Sequence, residues 1–289
     1  MMVMKLKKKV LSCVLLGLMV SGFAQAKGDW DANAYISARE FGFIPKLDVG
    51  YNVPLWGKTP KADDKTVKDV MYGYVRPSVR LHSVGLINGA HVKVDLYPIS
   101  ALQIGFGKKY SHVTSEMKTY DSTQVNNKGM FKSTIMRARL IFPLGLKGLS
   151  GFAGYTSEKM DEQPEASKLM LHYSYNLYGN AGGDTLNTMY GGAFYSLNDT
   201  YTVGGMVDST KMKGSGSKSK SMYLFGKMQS KSWEEVSYTL GAGTFSADNG
   251  TKDSVDKVYT EELSNEKRRD GFSFIWGVTY TFKRGMGLR

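Results

Sequence analysis

Between Phe272 and Phe282 every second residue is large and apolar: Phe272, Phe274, Trp276, Val278, Tyr280 and Phe282. The residues between them, Ser273, Ile275, Gly277, Thr279 and Thr281, are small or weakly polar except for Ile275. Successive side chains of a strand point to opposite faces, so a sustained period of two calls for a sheet with different surroundings on its two sides. A broad aromatic face backed by a small, polar one suits a strand with lipid on one side and water on the other.

The same alternation recurs along the chain. Leu47, Val49, Tyr51 and Val53 alternate with Asp48, Gly50 and Asn52, and Val75, Val79 and Leu81 with Arg76, Ser78, Arg80 and His82. Ala90, Val92, Val94 and Leu96 alternate with His91, Lys93 and Asp95, and Leu102, Ile104 and Phe106 with Gln103, Gly105 and Gly107. Met136, Ala138, Leu140 and Phe142 interleave with Arg137, Arg139 and Ile141. Leu169, Leu171, Tyr173, Tyr175 and Leu177 interleave with Met170, His172, Ser174 and Asn176. Fainter strands fall near 149–156, 187–197, 201–208, 221–229 and 236–245, which with 272–282 makes twelve. The pattern predicts an all-β protein, an antiparallel transmembrane β-barrel of about twelve strands, within a range of ten to fourteen. A soluble β-sandwich shares the period, but its outward faces would carry many charges.

The segments 59–66, 115–129, 157–167, 209–220 and 246–270 are polar and read as loops, with tight turns at 85–89 and 197–200. Barrels keep short turns on one side and long loops on the other. Counted back from the last strand, 115–129 and 157–167 fall on the short-turn side, so this strand assignment conflicts with itself. Pro77 cannot donate to a ladder, and the expectation there is a bulge.

The first 26 residues read as a cleavable signal peptide. Lys5, Lys7, Lys8 and Lys9 precede the apolar run Val10–Val20, which is too short to span a bilayer, and Ala24-Gln25-Ala26 is a small-x-small cleavage site. The expected domains are this leader and a barrel over 27–289. The leader holds Cys13, the one cysteine, so thiolate chemistry, including a zinc-thiolate site, is excluded from the rest. It also removes four of 38 basic residues and none of 26 acids, which leaves an excess of eight positive charges. In an exported protein such an excess points to lipopolysaccharide phosphates or anionic solutes rather than nucleic acid.

Gly277-Val278-Thr279-Tyr280-Thr281-Phe282 resembles the C-terminal assembly signal of Gram-negative outer-membrane β-barrel proteins, with Gly277, Tyr280 and Phe282 at its marked positions. It departs from that signal in having Ile275 where a polar residue is usual and in the extension Lys283–Arg289. The resemblance implies location in the outer membrane and handling by the barrel-assembly machinery.

If the apolar residues face lipid, parity turns Arg76, Arg80, Lys93, Lys109, Arg137 and Arg139 into the lumen, with Asp48 and Asp95 as the acids that join them. Basic rings favour anions, so the expected function is a porin-like passive channel for small anionic solutes. One alternative is a closed barrel, plugged by charge pairs, with a structural or surface-binding role. Another is a lipid hydrolase. His172 and Ser174, with Asn187 beyond, are similar to the His-x-Ser arrangement of outer-membrane phospholipases and lipid A deacylases, which would make them base, nucleophile and orienting group. Those families continue with asparagine after the serine, where Tyr175 stands here, and they present the pair to lipid, whereas parity turns His172 and Ser174 inward. No cofactor is expected. His82, His91 and His112 lack metal-ligand spacing, and 246–270 lacks that of a calcium loop. Lys211, Lys213, Lys218 and Lys220 read as a solubilising loop that could also meet lipopolysaccharide phosphates.

Overall fold

A computed structural model describes residues 29–39, 42–57, 72–83, 85–115, 125–126, 128–162, 169–172, 175, 177–180, 182–249 and 268–283. The expected signal peptide lies outside them, as do Ser174 and the tail after Lys283. In chain order the strands are β1 (Asp29–Arg39), β2 (Gly42–Trp56), β3 (Gly73–Ser83), β4 (Ile87–Ile99), β5 (Leu102–Val113), β6 (Val125–Asn126), β7 (Gly129–Pro143) and β8 (Leu149–Met160). They continue with β9 (Leu169–His172), β10 (Leu177–Gly179), β11 (Asp184–Ser196), β12 (Tyr201–Met212), β13 (Lys218–Gln229), β14 (Val236–Asp248) and β15 (Arg268–Lys283).

Twelve of these pair antiparallel, neighbour to neighbour, and β1 closes on β15 to complete a barrel. Closure leaves no sheet edge to lipid, which is what lets strands cross a membrane at all. The remaining three, β6, β9 and β10, form a separate small sheet. Leu47, Val49, Val79, Val92, Val94, Ile104, Phe106, Met136, Leu224, Leu240, Phe272 and Phe274 stand exposed on the outer wall. Asp48, Lys93, Asp95, Gln103, Ser133, Glu158, Thr188 and Asp208 are buried on the opposite parity. The hydrophobic effect therefore orders this fold inside out, with the apolar surface outside and the polar one within.

The strand count matches the sequence reading, but two strands differ. β1 was not expected. The expected strand over 169–177 is not in the wall: it is broken into β9 and β10, and Leu169, Met170, Leu171 and His172 are all buried in succession. Burial on both parities marks a segment surrounded by protein rather than one dividing lipid from water. With this exchange the loop conflict disappears. The connections 114–128, 161–183 and 249–267 now share one end, here the loop end, and the chain enters β1 and leaves β15 at the other, the terminal end. One long connection, 57–72, belongs to the terminal end.

The segment 209–220 is not a loop. β12 and β13 run through it as a hairpin, with Lys211 opposite Lys218 and a turn at 213–217. The expected loops at 157–167 and 246–270 likewise begin later, because β8 extends to Met160 and β14 to Asp248. Pro77 causes no bulge. Its pairing with β4 is regular, and the register between β2 and β3 is the same on either side of it; the shift in that ladder lies between Pro54 and Trp56.

Candidate functional site

The interior is chemically divided. Its charged half is built by β1 to β5, β7 and β8. Arg76 donates from Nε to Asp31 Oδ2 at 2.8 Å and from Nη2 to both Asp31 Oδ1 and Asp48 Oδ1, the last at 2.6 Å. Asp48 also receives Arg80 Nε at 2.8 Å and Lys93 Nζ at 2.9 Å. Lys93 lies 3.7 Å from Asp95, whose two oxygens take Arg137 Nη2 at 2.5 and 2.6 Å, and Arg137 Nε reaches Oδ1 at 3.0 Å. Asn52 Nδ2 donates to Asp31 at 2.6 Å. The result is one continuous ion-pair chain from β1 to β7. Bidentate arginine–carboxylate pairing fixes its geometry.

Glycine makes room for this chain. A Cβ on Gly50 would meet the Arg76 guanidinium at 2.5 Å, and one on Gly105 would meet Asp95 Oδ1 at 2.3 Å. On the other half, β11, β13 and β14 turn aromatic rings inward, and Tyr190 lies across Gly154 so closely that a Cβ there would be 2.2 Å from the ring.

Toward the terminal end the two halves enclose a polar cavity of about 670 Å³. Arg139 and Lys227 face each other's walls across it, with Gln103, Gln229, Thr239 and Thr279 among its lining. Tyr74 and Tyr97 border it as a stacked pair with centroids 4.1 Å apart. Toward the loop end the small sheet packs on the inner rim: Met170 and Leu177 join Met160, Leu186 and Met212 in one buried cluster. Glu158 ties this sheet to the wall. It accepts Ser133 Oγ at 2.6 Å, Lys109 Nζ at 3.2 Å and faces His172 Nε2 at 3.3 Å.

All six basic residues singled out in the sequence, Arg76, Arg80, Lys93, Lys109, Arg137 and Arg139, face the interior, and the first five are held by carboxylates. The sequence pattern does not reveal Asp31, because it does not mark β1 as a strand, or Glu158, which falls in the expected loop 157–167. Lys227, also not among the expected site residues, is signalled by its parity in β13: Leu224, Gly226 and Met228 alternate with it on the outward side. Asp31, Glu158 and Asp208, which also faces inward, all reduce the basic excess of the lumen. Of the hydrolase residues, His172 is inside against Glu158, whereas Asn187 is on the outer wall and accepts Tyr155 Oη at 2.8 Å. The wall separates them. Of the assembly-signal residues, Gly277 and Tyr280 lie in β15 opposite Ser37 and Ala34, and Phe282 lies in the same strand.

No family model matches the chain, and no curated protein matches it. Solved structures of similar fold include an outer membrane channel from Pseudomonas putida F1, at 9% identity and a TM-score of 0.48, covering 88% of this chain and 96% of that one. They also include the KdgM porin, at 12% identity and a TM-score of 0.42, covering 87% and 99%. OmpT, an outer membrane protein of Vibrio cholerae, is similar at 10% identity and a TM-score of 0.39, covering 88% and 97%. The wall is a closed twelve-strand antiparallel β-barrel, apolar outside and charged within, which is the architecture of a strand-built membrane span.

Proposed function

We propose that the protein is a passive channel of the bacterial outer membrane that favours small anions, exported there by the leader over residues 1–26. The observation that carries this reading is the pair Arg139 and Lys227. Both line the polar cavity, and neither has an acidic partner among the described residues, whereas Arg76, Arg80, Lys93, Lys109 and Arg137 are each paired with a carboxylate. Paired cations hold the wall together; unpaired ones set the potential that a passing ion meets.

A second reading has its own observation. The sheet of β6, β9 and β10, locked to Glu158 and to the Met160–Met212 cluster, favours a barrel closed at its loop end. Planar-bilayer recording of the purified mature protein separates the two. Discrete conductance steps with a reversal potential on the anion side are expected. Absence of steps would leave the closed barrel standing, and a reversal potential on the cation side would end the anion reading.

A further inference from the structure

On the outer wall the apolar band gives way to polar residues toward the loop end, with Tyr110 and Met130 exposed beyond it. The outward positions after Phe106, Met136, Tyr155 and Met189 are Lys108, Thr134, Ser157 and Asn187. Strand register joins part of this boundary into one lateral row. Lys108 lies opposite Thr134, Thr134 opposite Lys159, and Lys159 opposite Thr185. The Lys213 N–H donates to the Thr185 carbonyl at 2.8 Å and extends the row to the β12–β13 turn. Neighbouring strands are about 4.8 Å apart, so a lysine recurs about every 10 Å with a threonine between.

Lys108, Lys159 and Lys213 are exposed, and none has an acidic partner among the described residues. Next to the row, Lys211 stands directly opposite Lys218, an arrangement that destabilises a ladder unless an anion sits between the charges. Lys218 has Asp248 at 3.4 Å, and Lys211 has no acidic partner among the described residues. At the corresponding level of the terminal end the wall presents Tyr195, Tyr201, Tyr238 and Tyr280, whereas at the loop end Tyr110 stands beside the lysines. The two rims of the band are therefore built for different headgroups.

We propose that the row Lys108–Thr134–Lys159–Thr185–Lys213 binds the phosphates of an outer-leaflet glycolipid that carries more than one phosphate. Its depth, one to three outward positions past the apolar band, is that of the headgroup region. Ammonium and hydroxyl groups both donate to phosphate oxygens, and charge makes such bonds the stronger kind. Lysines about 10 Å apart can each take a different phosphate of one headgroup. The loop end is the outward-facing end in barrels of this kind, which selects the outer leaflet.

The test uses the whole mature protein, folded in detergent with a chelator present so that divalent cations cannot bridge. It is titrated with diphosphoryl lipid A, monophosphoryl lipid A and phosphatidylglycerol. Diphosphoryl lipid A is expected to bind at least about tenfold more tightly than phosphatidylglycerol. Lys108→Gln/Lys159→Gln/Lys213→Gln is expected to lose at least about tenfold in that affinity while keeping heat-modifiable mobility. Lys147→Gln/Lys231→Gln, in turns of the terminal end, is expected to bind as the unaltered protein does. Equal affinity for both lipid classes, or an unaltered affinity in the triple variant, would overturn the proposal. Should the triple variant not fold, Lys159→Gln alone decides, with a loss of about threefold expected and none refuting. The readout is lipid binding, so it stands or falls apart from channel conductance.

Discussion

Replacing Arg139 and Lys227 together with glutamine removes two charges that no described carboxylate balances and that face one cavity. A sphere of about 670 Å³ has a radius slightly over 5 Å, so an ion passing through is about 6 Å from each charge. At that distance in water one unit charge contributes ~0.7 kcal/mol. At 0.1 M salt a Debye length of ~10 Å reduces this to ~0.4 kcal/mol. The contribution has opposite sign for anion and cation, so two residues separate the ions by ~1.5 kcal/mol, about tenfold in permeability ratio. At 1 M salt the Debye length of ~3 Å leaves ~0.1 kcal/mol per charge and about a twofold ratio. Arg139→Gln/Lys227→Gln should therefore move the reversal potential in a potassium chloride gradient strongly toward the cation side at low salt and little at high salt. An unchanged reversal potential at 0.1 M, or a shift that does not shrink at 1 M, would refute the reasoning.

Asp95→Asn leaves Arg137 and Lys93 short of their carboxylate. It should lower barrel stability in urea titration by about 1–3 kcal/mol, below the range for a dry buried pair because the lumen admits water. Gly105→Val places a Cβ 2.3 Å from Asp95 Oδ1 and 2.7 Å from Arg137 Nε and should sharply reduce the heat-modifiable folded form, while Gly226→Ala, facing open space, should not. Leu177→Asp puts a charge into the cluster that seats the small sheet. It should enlarge the conductance step or lengthen its open time, and an unchanged record would remove the sheet from any role in closing the barrel. Tyr280→Ala and Phe282→Ala should each lower the amount of folded barrel recovered from outer membranes without lowering synthesis.

The barrel was legible because its middle is a strict two-solvent surface, and there the parity of Arg76, Arg80, Lys93, Arg137 and Arg139 can be read residue by residue. The misreadings have physical causes. In β1 the outward positions Ala32 and Ala34 that follow Trp30 are too small to sustain an apolar alternation. Between Ser209 and Lys220 the ladder continues past the apolar band, so water lies on the outer face and the alternation vanishes although the strands do not. The sequence over 169–177 alternates as well as any wall strand, yet β9 and β10 within it are buried on both parities. The pairing of Arg76 with Asp31 reaches across β2 and depends on the register of two successive hairpins, β1 with β2 and β2 with β3. No local spacing encodes it.

The ladders on either side of β15 are unequal. Toward β14 it runs from Arg268 opposite Asp248 to Tyr280 opposite Val236. Toward β1 it spans Trp276 to Lys283, with a register shift between Ala32 and Asn33. A cylinder fails along its shortest stitched line. The β1–β15 join is thus the place where this wall is completed last during insertion and where it parts first under load, and a crosslink across Ser37 and Gly277 would harden the molecule more than the same link elsewhere.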